Sequence, residues 1–168
     1  LWPFVADATA GRIYRDAFYQ PYASWYPELP RSLYGGLLAL GVRVELAQPG
    51  LQLVTDQTYN ELFTMHATFM IFLFVIPMLA GFGNYIVPLQ IGAPDMAFPR
   101  INALSLWMLP LAGVLLLAGF VTGGSAAAGW TSYAPLASEQ PFGQVFFNMG
   151  VQWAGASSIA TALNFLVT

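Results

Sequence analysis

The chain has 168 residues, of which 57% are hydrophobic and 8% are charged, and this charged fraction is about a third of that in an average soluble domain. Five Lys or Arg residues stand against eight Asp or Glu, a formal net charge of −3, so the basic surface that nucleic-acid binding requires is absent. There is no cysteine, which excludes disulfides, thiolate metal sites and thiol nucleophiles. The composition predicts an all-α membrane protein, a transmembrane helix bundle in contact with the lipid bilayer, rather than a soluble domain.

The N-terminal residues 1–34 form an unassigned segment that is rich in proline and tyrosine. Amphipathic rings favour the headgroup depth of a bilayer, so this irregular segment suits the membrane interface or a cap outside it. The apolar run that follows ends at Arg43 and is too short to cross a membrane alone. We therefore divide the chain into the segment 1–34 and a partial transmembrane bundle over 35–168.

Apolar stretches make up most of the chain beyond Glu61. No Asp, Glu, Lys or Arg occurs between Glu61 and Asp95, or between Arg100 and Glu139, and a helix across the hydrocarbon core needs about 20 apolar residues. Three spans are predicted: Leu62–Leu89, Ala103–Val121 and Gln144–Thr168. The third is the most polar of them. Prolines and glycines inside such spans are tolerated because neighbouring helices satisfy the freed backbone groups.

The two connections between these spans differ in charge. Residues 90–102 hold Arg100, the only basic residue on either connection, whereas residues 122–143 hold none. Cytoplasmic loops are enriched in Lys and Arg. This difference favours the 90–102 loop as the cytoplasmic one.

His66 is the only histidine of the chain and falls on the first predicted span. A histidine in a bilayer helix usually faces a cavity, a cofactor or another helix. Bulky apolar side chains three and four positions away suit the edge of a flat hydrophobic macrocycle. A histidine that is hydrogen-bonded between helices is the simpler alternative, and the residue pattern leaves both interpretations open.

Polar side chains near the inner end of the spans suggest a route for protons. Asp95 lies in the loop after the first span, where a carboxylate can collect protons from the inner side. Side chains that could hold a file of waters are Asn84, Asn102, Ser157, Ser158 and Asn164. Alternatively, Asp95 caps a turn, and the serines bond to the backbone or across helices. Arg43, at the membrane edge, either extends to water or donates to an oxygen of a buried ligand.

Five segments of the chain, taken together, form a pattern that is typical of one protein family. They are RVELAQPG (43–50), YNELFTMHATFMIF (59–72), FGNYIVPLQIGAPDMAFPRIN (82–102), GWTSYAPL (129–136) and AGASSIATALNF (154–165). With these segments, residues 36–168 resemble the N-terminal portion of subunit I of the haem–copper terminal oxidases, the cytochrome c oxidase family. The stretch GAPDMAFPR alone is close to a family signature. The resemblance predicts an N-terminal fragment of the catalytic subunit.

The resemblance implies that this part of the chain binds a low-spin haem of a or b type. His66 matches one axial ligand of the haem iron, and Arg43 matches the arginine that bonds a peripheral oxygen of the haem. Tyr59 matches a tyrosine near the same haem. Trp130 and Tyr133 match a segment on the outer face beside the haem propionates.

A proton route and a cation site are implied in the same way. Asp95 matches the entry of the proton channel of the family. The matching polar lining consists of Asn84, Asn102, Ser157, Ser158 and Asn164. Glu45, together with Gly50, matches a cation-binding edge that some members have.

Three positions depart from the family pattern. The family usually has a histidine and a leucine before AGASS, where this chain has Gln152 and Trp153. Ala103 stands where a second asparagine is common. These changes are expected to alter the third span or the file of waters.

The resemblance implies that the intact parent is a cytochrome-c oxidase, which reduces oxygen to water with electrons from cytochrome c and pumps protons. It would assemble with other oxidase subunits in a prokaryotic plasma membrane and would also hold a high-spin haem and copper. Ligands for those two groups are missing from the sequence, so the fragment alone is not expected to reduce oxygen. Three alternatives stay open: a quinol-oxidising member of the family, a non-catalytic membrane scaffold, and a b-type haem carrier whose second ligand is Met65, Met70 or another chain.

Overall fold

A computed structural model describes residues 33–50 and 52–168 of the chain. Within these two ranges the chain is helical and has no β-strand, which confirms the predicted all-α class. The unassigned segment 1–34 lies almost wholly outside the described residues, and its predicted role stays a prediction.

The described chain contains four main helices and one short 3-10 helix. Helix α1 covers residues 33–45. A continuous helix of 36 residues follows, and its parts are α2 (Asp56–Met70), a π-helical turn (Ile71–Val75) and α3 (Ile76–Ile91). The remaining elements are α4 (Pro99–Val121), a short 3-10 helix (Leu136–Glu139) and α5 (Gly143–Val167). The three predicted spans correspond to three long helices.

The first long helix begins at Asp56, six residues before the predicted span. Its first free N–H groups are satisfied locally, because Thr55 Oγ1 accepts a hydrogen bond from the N–H of Thr58 at 3.3 Å. The carboxylate of Asp56 in the first turn also complements the helix dipole. Polar residues therefore extend the helix beyond the apolar stretch that the hydropathy pattern marks.

The same helix passes a proline without breaking. Pro77 has no N–H and cannot bond to the carbonyl group four residues earlier. A π-helical turn lies just before it, in which the N–H of Ile76 bonds to the carbonyl oxygen of Ile71. Such a wider turn is a recognised way for a helix to accommodate a local defect.

Two of the described helices are long and apolar enough to cross a membrane, and these are Asp56–Ile91 and Pro99–Val121. Helix α5 has a comparable length of 25 residues, but its amide and hydroxyl side chains make it less apolar. This agrees with the prediction that the third span is the most polar of the three.

Helices α4 and α5 pack side by side through glycines on α5. A Cβ atom at Gly150 would lie 2.8 Å from Cγ of Leu116 and 3.1 Å from the carbonyl oxygen of Ala112. At Gly143 a Cβ atom would overlap the carbonyl oxygen of Gly124, in the segment that follows α4. Small residues let helix backbones approach closely, which is the main source of packing energy between helices in a bilayer. The two helices are thereby fixed relative to each other.

Candidate functional site

His66 lies half-buried on α2 and faces α1. Its Nδ1 is 2.9 Å from the carbonyl oxygen of Gly35. A carbonyl oxygen only accepts, so Nδ1 carries the hydrogen and donates it. The lone pair is then on Nε2, which has no hydrogen-bond partner among the residues of the described ranges. One imidazole nitrogen is thus held by backbone, and the other is available to a ligand.

The contact depends on a close approach of α1 to α2. A Cβ atom at Gly35 would lie 2.8 Å from Sδ of Met70, and one at Gly41 would lie 3.4 Å from Cδ1 of Leu62. Residue numbers rise along α1 as they fall along α2, so the two helices are antiparallel. The lack of a side chain at Gly35 allows its carbonyl group to reach the imidazole.

Glu45 closes the end of α1, beyond its apolar run. This carboxylate is 3% exposed and accepts the backbone N–H groups of Gln52 at 2.6 Å, Leu53 at 2.9 Å and Val54 at 3.2 Å. The bonds from Gln52 and then Leu53 hold the pKa of Glu45 below its ordinary value, because they stabilise the charged form. The structure therefore uses Glu45 to hold the chain that leads into α2.

Tyr59 and Arg43 lie near the same end of α1. Tyr59 is half-buried and shares with Glu45 a groove of about 500 Å³, which Asp56 and Gly50 also line. Arg43 is exposed and has no ion-pair partner within the described ranges. Its guanidinium is therefore free to reach water or a bound ligand.

The segment 122–143 covers α2 next to His66. The N–H of Gly129 donates to Oγ1 of Thr64 at 2.9 Å, and Thr64 is fully buried two residues before His66. The ring of Trp130 lies 6.0 Å from that of Phe72. Phe72 belongs to the π-helical turn that follows α2. The structure therefore brings Trp130 against the first long helix but leaves Tyr133, which is largely exposed, at the surface.

A second feature is a cavity of about 380 Å³ between α3, α4 and α5. Its wall is mostly apolar. The polar side chains that line it are Asn84, Asn102, Ser105, Ser157, Ser158 and Thr161. Four of these six were predicted from the sequence as lining of a water file, and the structure brings these four together.

Only part of this polar lining is free to bind water. Ser157 Oγ donates to the carbonyl oxygen of Ser105 across the helices at 2.7 Å, and Ser158 Oγ donates to a carbonyl of its own helix at 3.1 Å. These bonds agree with the alternative interpretation of the serines. Oδ1 of Asn84, however, is buried without a hydrogen-bond partner in the described part of the chain. A buried water is the usual partner of such an atom.

Asp95 and Asn164 do not line the cavity. Asp95 is half-buried, and its Oδ1 accepts the N–H of Met96 at 2.7 Å. Asn164 on α5 is fully buried. It accepts the N–H of Phe98 at 2.8 Å and donates from Nδ2 to the carbonyl oxygen of Phe98 at 3.3 Å. Asn164 therefore ties the loop that carries Asp95 to α5.

Four residues of these sites were missed by the sequence reasoning. They are Gly35, Thr64, Ser105 and Thr161. A helical spacing identifies two of them, because Ser105 lies three residues after Asn102, and Thr161 lies four residues after Ser157. The GG pair at 35–36 in an apolar helix also marks a close helix approach. Thr64 gives no such signal, since its partner is a backbone group in a distant segment.

No group of three or more His, Cys, Asp or Glu side chains that could hold a metal ion occurs in the described ranges. The arrangement at His66 fits a single axial bond to a haem iron, since a neutral imidazole binds iron through one nitrogen while its other N–H is oriented by an acceptor.

Comparisons with known proteins agree with the sequence motifs. Residues 32–168 match the family model described as cytochrome c and quinol oxidase polypeptide I. The putative cytochrome c oxidase subunit 1-beta of Streptomyces coelicolor is 51% identical in an alignment 141 residues long that covers 81% of this chain and 24% of the relative. Cytochrome c oxidase subunit 1 of Corynebacterium efficiens is 49% identical over 80% of this chain and 24% of the relative. That of Thermostichus vulcanus is 50% identical over 81% and 25%. The chain spans about a quarter of the length of these relatives.

Proposed function

Since this chain belongs to the cytochrome c and quinol oxidase polypeptide I family, we propose that it is an N-terminal part of the membrane-embedded catalytic subunit of a respiratory terminal oxidase. The parent is an oxidoreductase and an integral membrane protein, and its family implies haem and copper. In our proposal the parent reduces oxygen to water with electrons from cytochrome c, and it couples this reaction to proton pumping across a prokaryotic plasma membrane together with other oxidase subunits.

The observation that carries the proposal is the orientation of His66. Its Nδ1–H donates to the carbonyl oxygen of Gly35, so Nε2 is left as the donor atom for iron. A backbone acceptor fixes both tautomer and ring plane, and it raises the basicity of the ligating nitrogen. A low-spin haem held there supplies an iron centre that accepts and releases one electron.

Residues around His66 are assigned supporting roles. Arg43, exposed and unpaired within the described ranges, donates to a peripheral oxygen of the haem, and Tyr59 lies near it. Trp130 and Tyr133 lie on the outer side beside the propionates. The contact between Trp130 and Phe72 supports the assignment of Trp130.

A second protein ligand for a haem at His66 would come from outside the described residues, because neither nearby methionine is placed to act together with His66. Met70 lies one helical turn after His66 and on the same side of α2. Met65 is fully buried in the packing of the helices. These positions argue against an isolated b-type haem carrier in which either methionine is the partner of His66.

Proton supply is assigned to the inner side of α3, α4 and α5. Asp95 takes up protons from the inner side at the loop. The cavity lined by Asn84, Asn102 and Ser157 holds waters that carry these protons further into the protein. The buried, unpartnered Oδ1 of Asn84 supports this assignment. Asn164 acts through the loop, because it holds the backbone of Phe98 in place.

Two further assignments concern a cation site and the electron donor. Glu45 with Gly50 binds a cation in the groove that they line, although the carboxylate already accepts three N–H groups. We favour cytochrome c over a quinol as the electron donor, since the relatives are named cytochrome c oxidases.

Oxygen consumption by the full-length protein in vesicles tests the proposal. With reduced cytochrome c as donor, we expect steady oxygen consumption that cyanide inhibits, accompanied by acidification of the side opposite to Asp95. A quinol donor is the matched control and should support a much lower rate.

The alternatives give different results in the same vesicles. A higher rate with quinol than with cytochrome c would identify a quinol oxidase. Absence of oxygen consumption with both donors, in a preparation that contains every subunit, would contradict the enzyme assignment and favour a non-catalytic scaffold.

A further inference from the structure

Residues 129–132 form a tight turn between the second and third long helices. The N–H of Ser132 donates to the carbonyl oxygen of Gly129 at 3.2 Å and closes the turn, so Trp130 and Thr131 are its two central residues. Gly129 has a φ angle of 75° and Ser132 one of 49°. Positive φ is common for glycine but sparsely populated for serine. Such a backbone persists only where its surroundings hold it in place.

Both ends of this turn are bonded to a long helix. At the first end, the N–H of Gly129 donates to Oγ1 of Thr64 on α2 at 2.9 Å. At the other end, Nε2 of Gln144 on α5 donates to Oγ of Ser132 at 3.0 Å. Thr64 is fully buried and Gln144 is 7% exposed, so water hardly competes for either bond. We call residues 129–132 the anchored turn.

Trp130 depends on these two bonds for its position. Its ring lies 6.0 Å from that of Phe72, yet the side chain is 45% exposed. Packing therefore restrains only part of the indole, and the backbone of the anchored turn must fix the rest. Because the two anchors come from α2 and α5, they also determine where Trp130 lies relative to these helices.

Thr64 acts on a different face of α2 from His66. The two residues are two positions apart, which is about 200° around a helix. The hydrogen bond between Thr64 and Gly129 is thus separate from the bond between His66 and Gly35. Removal of the Thr64 hydroxyl is expected to free the anchored turn while the imidazole keeps its orientation.

We propose that Thr64 and Gln144 are positioning residues for Trp130. By holding the anchored turn at both ends, they keep the indole where its N–H donates to a haem propionate. The proposal rests on the proposed function, which places Trp130 beside the propionates. An indole nitrogen is a donor only. A donor at a carboxylate partly offsets the negative charge near the haem, which favours the reduced iron.

Hydrogen–deuterium exchange of the full-length protein tests the two anchors independently of the haem. Thr64→Val and Gln144→Met each remove one anchor at similar side-chain volume. Exchange in peptides that cover the anchored turn is expected to be about twofold to tenfold faster in either variant, as the loss of one neutral hydrogen bond implies. Thr64→Ser keeps the hydroxyl and should exchange at the rate of the original protein.

Thr68→Val is the matched control for Thr64→Val. Thr68 is also fully buried and also two positions from His66, but its hydroxyl donates within its own helix, to the carbonyl oxygen of Thr64 at 2.7 Å. This control should leave the exchange of the anchored turn unchanged. Equally fast exchange in Thr68→Val and Thr64→Val would overturn the proposal, as would unchanged exchange in Thr64→Val or in Gln144→Met.

Redox titration of the low-spin haem gives a second readout that a merely structural role would not move. We expect a lower midpoint potential in Thr64→Val and Gln144→Met, an unchanged one in Thr64→Ser and Thr68→Val, and one low-spin haem per polypeptide in all four. Loss of haem from Thr64→Val, or an unchanged potential despite faster exchange, would overturn the proposal. Failure of the proposed function is distinct, because the original protein itself would then lack the low-spin haem.

Discussion

The His66→Ala variant of the full-length protein is expected to lose its low-spin haem completely. Alanine has no donor atom for iron, and the structure offers no other histidine in the described ranges that could replace it. The measurement is the haem content per polypeptide from a pyridine haemochrome assay, with the reduced-minus-oxidised spectrum. Leu89→Ala, near the other end of the same continuous helix and 60% exposed, is the matched control and should keep its full haem content.

Loss of haem could also follow from misfolding, and a second variant separates the two causes. His66→Gly leaves a space that free imidazole can enter. Addition of imidazole is expected to restore the low-spin spectrum, because the rest of the pocket is intact. A low-spin haem that persists in His66→Ala would contradict the assignment of His66, whatever the imidazole result.

The Gly143→Ala variant is expected to destabilise the protein by about 3 kcal/mol, at the upper end of the usual cost of overpacking. The new methyl group would overlap the backbone carbonyl oxygen of Gly124, and a backbone group cannot rotate away as a side chain can. Helix α5 must then shift relative to the segment that follows α4. Equilibrium unfolding of the purified subunit in mixed micelles measures the change.

Gly36→Ala is the control for Gly143→Ala. A Cβ atom at Gly36 would meet nothing within 4 Å, and alanine favours the helical state relative to glycine by up to about 1 kcal/mol. The control should therefore be neutral or slightly more stable. Equal stabilities for the two variants would contradict the tight contact at Gly143.

Charge spacing and hydropathy were sufficient to predict the three long helices but not α1. Spans without charged residues mark three long helices in the right order, because a bilayer requires continuous apolar helix. The helix ends were harder to predict. Helix α2 begins with a cap formed by Thr55 and Asp56, and hydropathy does not report such a cap. The π-helical turn before Pro77 depends on backbone hydrogen bonds, which the pattern of apolar residues does not reveal.

The candidate site was predicted only where side chains carry the signal. His66, Asn84 and Ser157 are conspicuous as polar residues in apolar helices. The partner of His66 is a backbone carbonyl 31 residues away, and any residue type has that group, so only the three-dimensional contact of α1 and α2 identifies it. The same reason applies to Asn164, whose bonds to the backbone of Phe98 give it a structural role in the inner loop.

The most direct test of the account is the near-infrared magnetic circular dichroism of the oxidised full-length protein, which reports the two axial ligands of a low-spin haem. We expect the charge-transfer band of a low-spin haem with a histidine ligand, with an intensity of one such haem per polypeptide, and we expect the His66→Ala variant to lack this band. The absence of any low-spin haem, or an unchanged band in His66→Ala, would contradict the assignment of His66 as a haem ligand in a terminal oxidase.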